Sequence, residues 1–153
     1  LKIGEKNMLN KFNEKAQKIV AVAESIAFDF GHVSVGSEHL LLSFLKIKDN
    51  KLRMILAGYS ITYEKIKDQI ISLFGKKDNK PYYMEYTASL KKIIDNSYIE
   101  AKKNKEEKVT PDILAYTLMN SKENVAIELL NKNNVDSKEV IEILKRNIKR
   151  KIY

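Results

Sequence analysis

The chain can be laid on itself. A shift of 74 residues sets residues 12–75 on residues 86–149 without a gap. Phe12 then meets Tyr86, Ile19 meets Ile93, Ala27 meets Ala101 and Val35 meets Val109. Further on, Leu40 meets Leu114, Leu56 meets Leu130, Ile66 meets Val140 and Ile70 meets Leu144. Few of these pairs are identical, but apolar character agrees along the whole register. Such a repeat confines the chain to folds made of two like units, each needing the other to cover its apolar face.

Each unit reads as helical. Proline occurs only at positions 81 and 111, and strand-like alternation is scarce. Asn13 can cap a first helix in which Ala16, Ile19, Val20, Ala23 and Ala27 share one face until Gly31 stops it. A second helix starts near Ser37 with Leu40, Leu41, Phe44 and Leu45, and a third runs from near Asn50 to Gly58. A fourth extends from Thr62 to Phe74, closed by Gly75. The second unit repeats the plan, with starts near Thr87, Pro111, Asn124 and Ser137. Thr110-Pro111 is a strong start signal, because threonine caps and proline suits the first helical position. The expected fold is all-α: two four-helix repeats, 12–75 and 86–149, joined by a linker over 76–85. They pack with pseudo-twofold symmetry as one domain over 1–153, burying the small residues of the two first helices between them.

Composition narrows the chemistry. The chain has no cysteine, so a disulfide, a thiolate zinc site, an Fe–S cluster and a thiol nucleophile are excluded. His32 and His39 are the only imidazoles. No metal site is expected, and no acid/base arrangement suggests catalysis. No apolar run approaches the roughly 18–20 residues of a membrane span. The net charge is +8, and only 3 of the 28 basic residues are arginines. Solvated lysines account for this more simply than a nucleic-acid partner does.

The run FNEKAQKIVAVAESIA (Phe12–Ala27), followed by GHVSVGSEHLLLSFL (Gly31–Leu45), resembles the Clp amino-terminal repeat, with its phenylalanine-led first helix and its G-H-x-x-[VI]-G-T-E-H-[LI]-L-L second helix. VTPDILAYTLM (Val109–Met119) is similar to the V-T-P-E-H-L-L form of some members. The likeness covers about residues 9–149 and is greatest to ClpC-like members. It implies the recognition domain of an AAA+ unfoldase, which takes unfolded or tagged substrates and adaptor proteins and passes them to an ATPase ring and, through it, to a Clp peptidase. No G-x-x-x-x-G-K-[ST] phosphate loop occurs in the chain. This chain is therefore expected to hydrolyse nothing and to hold no cofactor; ATP and Mg²⁺ would belong to a parent protein.

The candidate binding residues lie at the second-helix starts. In Gly36-Ser37-Glu38, the helix start offers free N–H groups and a partial positive charge, glycine lets a ligand near the backbone, and serine can cap or donate. The Glu38 carboxylate can pair with a guanidinium. A group anionic at one end and cationic at the other fits, and the resemblance implies phosphoarginine, with Ser37 standing where the family usually has threonine. A plain cap with a favourable dipole charge accounts for the same residues. The second-unit counterparts are Thr110 and Asp112, where Pro111 removes an N–H donor and the acid is one methylene shorter, so a weaker second site is expected. His39 is expected to pack beneath the helix start or bond a neighbouring loop, and His32 to order its loop.

Tyr86 is expected in the core like Phe12, with Tyr82 and Tyr83 covering the linker. Lys102–Lys108 reads as a solvated charge run, and Lys145–Lys151 as the boundary of a tether. A free-standing adaptor or regulator of the same family is the alternative function, and a basic nucleic-acid binder, with steeply salt-dependent binding, is the third class. The non-Met start and the Lys/Asn/Ile bias suit a plastid-type organelle such as an apicoplast, from which a transit segment was removed; the absence of cysteine suits a bacterial cytoplasm as well.

Overall fold

The computed structural model describes residues 2–3, 9–122 and 124–150. Lys151, the last residue of the basic tail, lies outside them. Eight helices appear among the described residues: α1 (Glu14–Asp29), α2 (Ser37–Lys46), α3 (Lys51–Ala57), α4 (Tyr63–Phe74), α5 (Ala88–Lys103), α6 (Pro111–Asn120), α7 (Val125–Lys132) and α8 (Ser137–Arg150). Every helix of the second half begins 74 residues after its counterpart. The caps explain why. Asn13, Asn50 and Thr62 each accept a backbone N–H from three residues on, as do Thr87, Asn124 and Asp136 at the matching starts. The stops repeat too. Gly31 and its counterpart Lys105 both take positive φ, as do Ser60 and Asn134. At Gly31 a Cβ would also meet the Lys77 carbonyl oxygen at 2.5 Å.

The two halves interlock through short strands. β1 (Lys2–Ile3), β2 (Ser34–Val35) and β3 (Tyr83–Tyr86) form a parallel sheet in the order β1-β3-β2. Val35 pairs with Tyr86, and a parallel bridge joins Phe12 to Val109. These two contacts exchange under the 74-residue shift. So do the hydrogen bonds Thr87 N–H to Val35 O (2.9 Å) and Asn13 N–H to Val109 O (3.0 Å). Each half therefore lends its leading aromatic to the other, which is the isologous arrangement of a twofold.

Two expectations need correction. Residues 76–85 are more than a linker, since β3 begins within them and forms the middle of the sheet; Met84 and Tyr86 alternate inward there while Tyr83 and Glu85 face out. The small residues of α1 are buried as expected, but α1 packs mainly on α2 and α5 mainly on α6. The halves meet instead through α2 with α7, α3 with α6 and α8, and α1 with α6. The apolar α2 (Leu40, Leu41, Leu42, Phe44, Leu45) and α6 (Ile113, Leu114, Ala115, Leu118, Met119) are buried almost all round, as central helices must be. One core results, running from Phe12 and Ile19 through Leu56 and Ile70 to Leu130 and Leu144.

Tyr86 is in that core, its hydroxyl donating to Glu24 Oε2 at 2.6 Å. Tyr82 does not cover the linker: it is 93% exposed, and Tyr83 is about half exposed. The lysines of 102–108 face solvent, as do Lys145, Arg146 and Lys149.

Candidate recognition site at the start of α2

α2 starts without a side-chain cap, because its N-cap is Gly36. The missing acceptor is replaced from the other direction. His39, at the third helical position, turns its ring back so that Nδ1 accepts the Gly36 N–H at 2.9 Å. His39 Nε2 lies 2.8 Å from His32 Nδ1, and His32 Nε2 lies 2.7 Å from the Gly75 carbonyl. The directions follow from the ends. The Gly75 oxygen can only accept, so His32 donates from Nε2 and accepts at Nδ1; His39 then donates from Nε2 and accepts at Nδ1. The chain of bonds runs Gly36, His39, His32, Gly75. It ties the start of α2 to the end of α4. Burial, and then the charge on His32, push the His39 pKa down to about 3.

Glu38 sits half-buried on the first turn. Its carboxylate folds back over Gly36, so that a Cβ on Gly36 would lie 2.0 Å from Oε1. The residue's own N–H donates to it, and the field of His32 also favours its charge, but burial outweighs both and raises its pKa above the usual value. No lysine or arginine forms an ion pair with it among the described residues. A carboxylate taken partly out of water with no cation beside it is suited to receive one.

The other candidates stand differently. The sequence expected Gly36 to leave the backbone open to a ligand; instead the Glu38 carboxylate fills that space, so an anion entering there must first displace it. The Ser37 hydroxyl does not face solvent. Ser37 is 2% exposed, and its Oγ accepts the Ala126 N–H at 3.2 Å, serving the start of α7 in the other half. As a direct ligand for phosphate it is turned the wrong way. Thr110 caps α6, its hydroxyl accepting the Ile113 N–H at 3.2 Å, and Asp112 lies half-buried on the first turn. Both helix starts thus carry an acid on the first turn, but only the first has a histidine network behind it: at the matching positions of the second half stand Glu106 and Ile113. Sequence reasoning missed the partnership of Ser37 with α7 and the buried Glu24–Tyr86 bond, which join residues 89 and 62 positions apart. The pairing of His32 with His39 had a readable signal in a seven-residue spacing that brackets a helix start.

Solved structures of the same architecture include Clp amino-terminal domains. That of ClpD from Arabidopsis thaliana superposes with a TM-score of 0.74 over 92% of this chain and 96% of that one, at 17% identity. The N-domain of ClpV in its complex with a VipB peptide superposes with a TM-score of 0.62, over 95% and 94% of the two chains, also at 17% identity. At such identities the likeness fixes the fold alone. The family model described as "Clp repeat (R) N-terminal domain" matches residues 11–150, and the chain belongs to that family. The negative regulator of genetic competence ClpC/MecB of Bacillus subtilis is 32% identical over 124 residues, 81% of this chain. The chain spans about 15% of the length of that relative and of other curated relatives it matches.

Proposed function

We propose that this domain recognises protein substrates and adaptors for a Clp-type unfoldase, and that Glu38 receives the guanidinium of phosphoarginine-marked proteins. The observation that carries the reading is the half-buried Glu38 carboxylate at the start of α2, raised in pKa by burial and without a cation partner among the described residues. Membership in the Clp amino-terminal family and the peptide-bound ClpV neighbour support a protein ligand. The phosphoryl group would be met by N–H groups at the helix start once the carboxylate swings out to its guanidinium. The ATPase ring and the peptidase enter only through a parent protein.

Titration of phosphoarginine into the chain by calorimetry tests this. Glu38→Ala should weaken binding by about tenfold or more, the worth of a charge-assisted pair. Asp112→Ala should change it by no more than about twofold, since Pro111 leaves that start with one donor fewer. Loss of binding through the Asp112 change alone would overturn the assignment. Binding of an unfolded model protein or an adaptor with no response to phosphoarginine would leave protein recognition and remove the guanidinium role.

A further inference from the structure

We propose that the groove where α3 and α4 meet the ends of α1 and α2 is a second recognition site, which takes an acidic, extended segment of a partner protein on the Arg53 guanidinium. The site goes beyond the Glu38 reading and does not need it.

The groove encloses about 520 Å³. That is more room than a bare phosphate or carboxylate fills, and it lies within the range of ligand sites. α4 contributes Tyr63, Glu64 and Lys67, the end of α2 contributes Lys46, and α3 contributes Arg53. Lys76 follows α4, and Asp29 closes α1. Four cations thus line the groove against two acids, so its field favours an anion.

Arg53 sets the chemistry. It is half-buried, yet its guanidinium makes no ion pair or hydrogen bond among the described residues. A guanidinium has five N–H donors, and a carboxylate satisfies two of them in one fork. The main chain of Arg53 is fixed without any ligand, since its N–H donates to the Asn50 cap at 2.9 Å. The lysines add charge around it. Lys46 Nζ lies 5.7 Å from the centre of the Tyr63 ring. Lys67 pairs with the exposed Glu64 at 3.9 Å, a contact worth little in water, and is free to take a better acceptor.

The second half shows that the fold does not require these cations. The positions matching Lys46, Arg53 and Lys67 hold Asn120, Ile127 and Ile141, although the helices start in the same register. The charges stand on three helices, which matches a row of carboxylates better than a single one. The half-buried Tyr63 ring between them offers a rest for an apolar side chain beside the acids. Together these features fit an extended peptide in which acidic and apolar residues alternate.

Fluorescence anisotropy with a labelled peptide of alternating glutamate and phenylalanine tests the site. The peptide should bind, and its glutamine counterpart should bind at least about tenfold more weakly. Arg53→Gln should weaken binding by about tenfold, and Arg53→Lys by at least about threefold, because a point charge cannot fork a carboxylate. Lys46→Gln, at an exposed position that leaves the core untouched, should cost about threefold. Glu38→Ala should change peptide binding by less than about twofold, since α2 separates its start from Lys46 by about 1.5 Å per residue. In NMR the peptide should shift the amides of Arg53, Tyr63 and Lys67. No binding, equal binding of the glutamine peptide, or an Arg53→Gln loss under about twofold would overturn the proposal. Amide shifts confined to the start of α2, or a Glu38→Ala loss as large as that of Arg53→Gln, would overturn it by assigning the peptide to the other site. Tighter, steeply salt-dependent binding of duplex DNA through Arg53 would overturn the peptide in favour of a nucleic acid.

Discussion

The starts of α2 and α6 occupy equivalent places in the two halves and solve the same problem differently. Both must satisfy the first backbone N–H groups of a buried helix. α6 does it locally: Thr110 accepts from Ile113, and Pro111 has no N–H to satisfy. α2 does it at a distance, through His39, His32 and the end of α4, with Glu38 laid over a glycine. The local cap is indifferent to its neighbours. The distant one depends on two imidazoles and leaves a carboxylate half out of water. The crossing aromatics diverge in the same way, since Tyr86 bonds the buried Glu24 while its counterpart Phe12 packs edge-on against Tyr98, the counterpart of Glu24, at 5.5 Å. One helix start is thus self-sufficient and the other depends on a wider network.

The comparison breaks most sharply at His39. His39→Ala leaves a cavity, an unpaired Gly36 N–H and an unpaired His32, and should lower stability by about 3 kcal/mol in urea unfolding. A loss no larger than that of a surface change would show the network to be dispensable.

Acid should separate the halves next. The folded pKa of His39 is about 3, below the ordinary value of 6.5. Between these values the unfolded chain binds a proton that the folded chain excludes, so stability is fully present above the ordinary value and falls as pH drops towards the folded one. Linkage sets the loss at about 2 kcal/mol between about pH 7 and about pH 5. His39→Ala should remove most of that slope, whereas Thr110→Ala should keep it.

Thr110→Ala itself should cost about 1 kcal/mol, the usual worth of a threonine N-cap. An effect as large as that of His39→Ala would mean that the second start also holds a wider network. The smallest effect belongs to Gly36→Ala, about 0.5 kcal/mol, because its φ of −118° suits any residue and the clash is with the flexible end of Glu38. That variant should expel the carboxylate from above the helix start, which the Glu38 carboxyl resonance would report as a return towards an ordinary pKa.

Much of the fold was legible because helix starts and stops are local. Asn13, Asn50, Thr62 and Thr87 announce themselves by residue type, and the left-handed stop at Gly31 does so too. The short sheet was hidden for the opposite reason. Its strands are two to four residues long, too short to show a period, and they pair across the halves. The site was legible in part. Glu38 could be picked out as an acid beside a helix start, and it does stand there. Gly36 and Ser37 were read as open to a ligand because a sequence cannot say which way a small side chain faces. Packing turned Ser37 towards α7 and laid Glu38 over Gly36.

The sequence by itself determined that this chain is two like helical units, because periodicity and caps act within a few residues and survive duplication. It also carried the family, in the runs around Phe12–Ala27 and Gly31–Leu45. Only the tertiary structure decided how the units lock, each giving its leading aromatic to the other, and that the start of α2 is tied through His39 and His32 to the end of α4. Those outcomes depend on contacts between residues far apart in the chain, where burial and hydrogen-bond direction, rather than local propensity, set the energy.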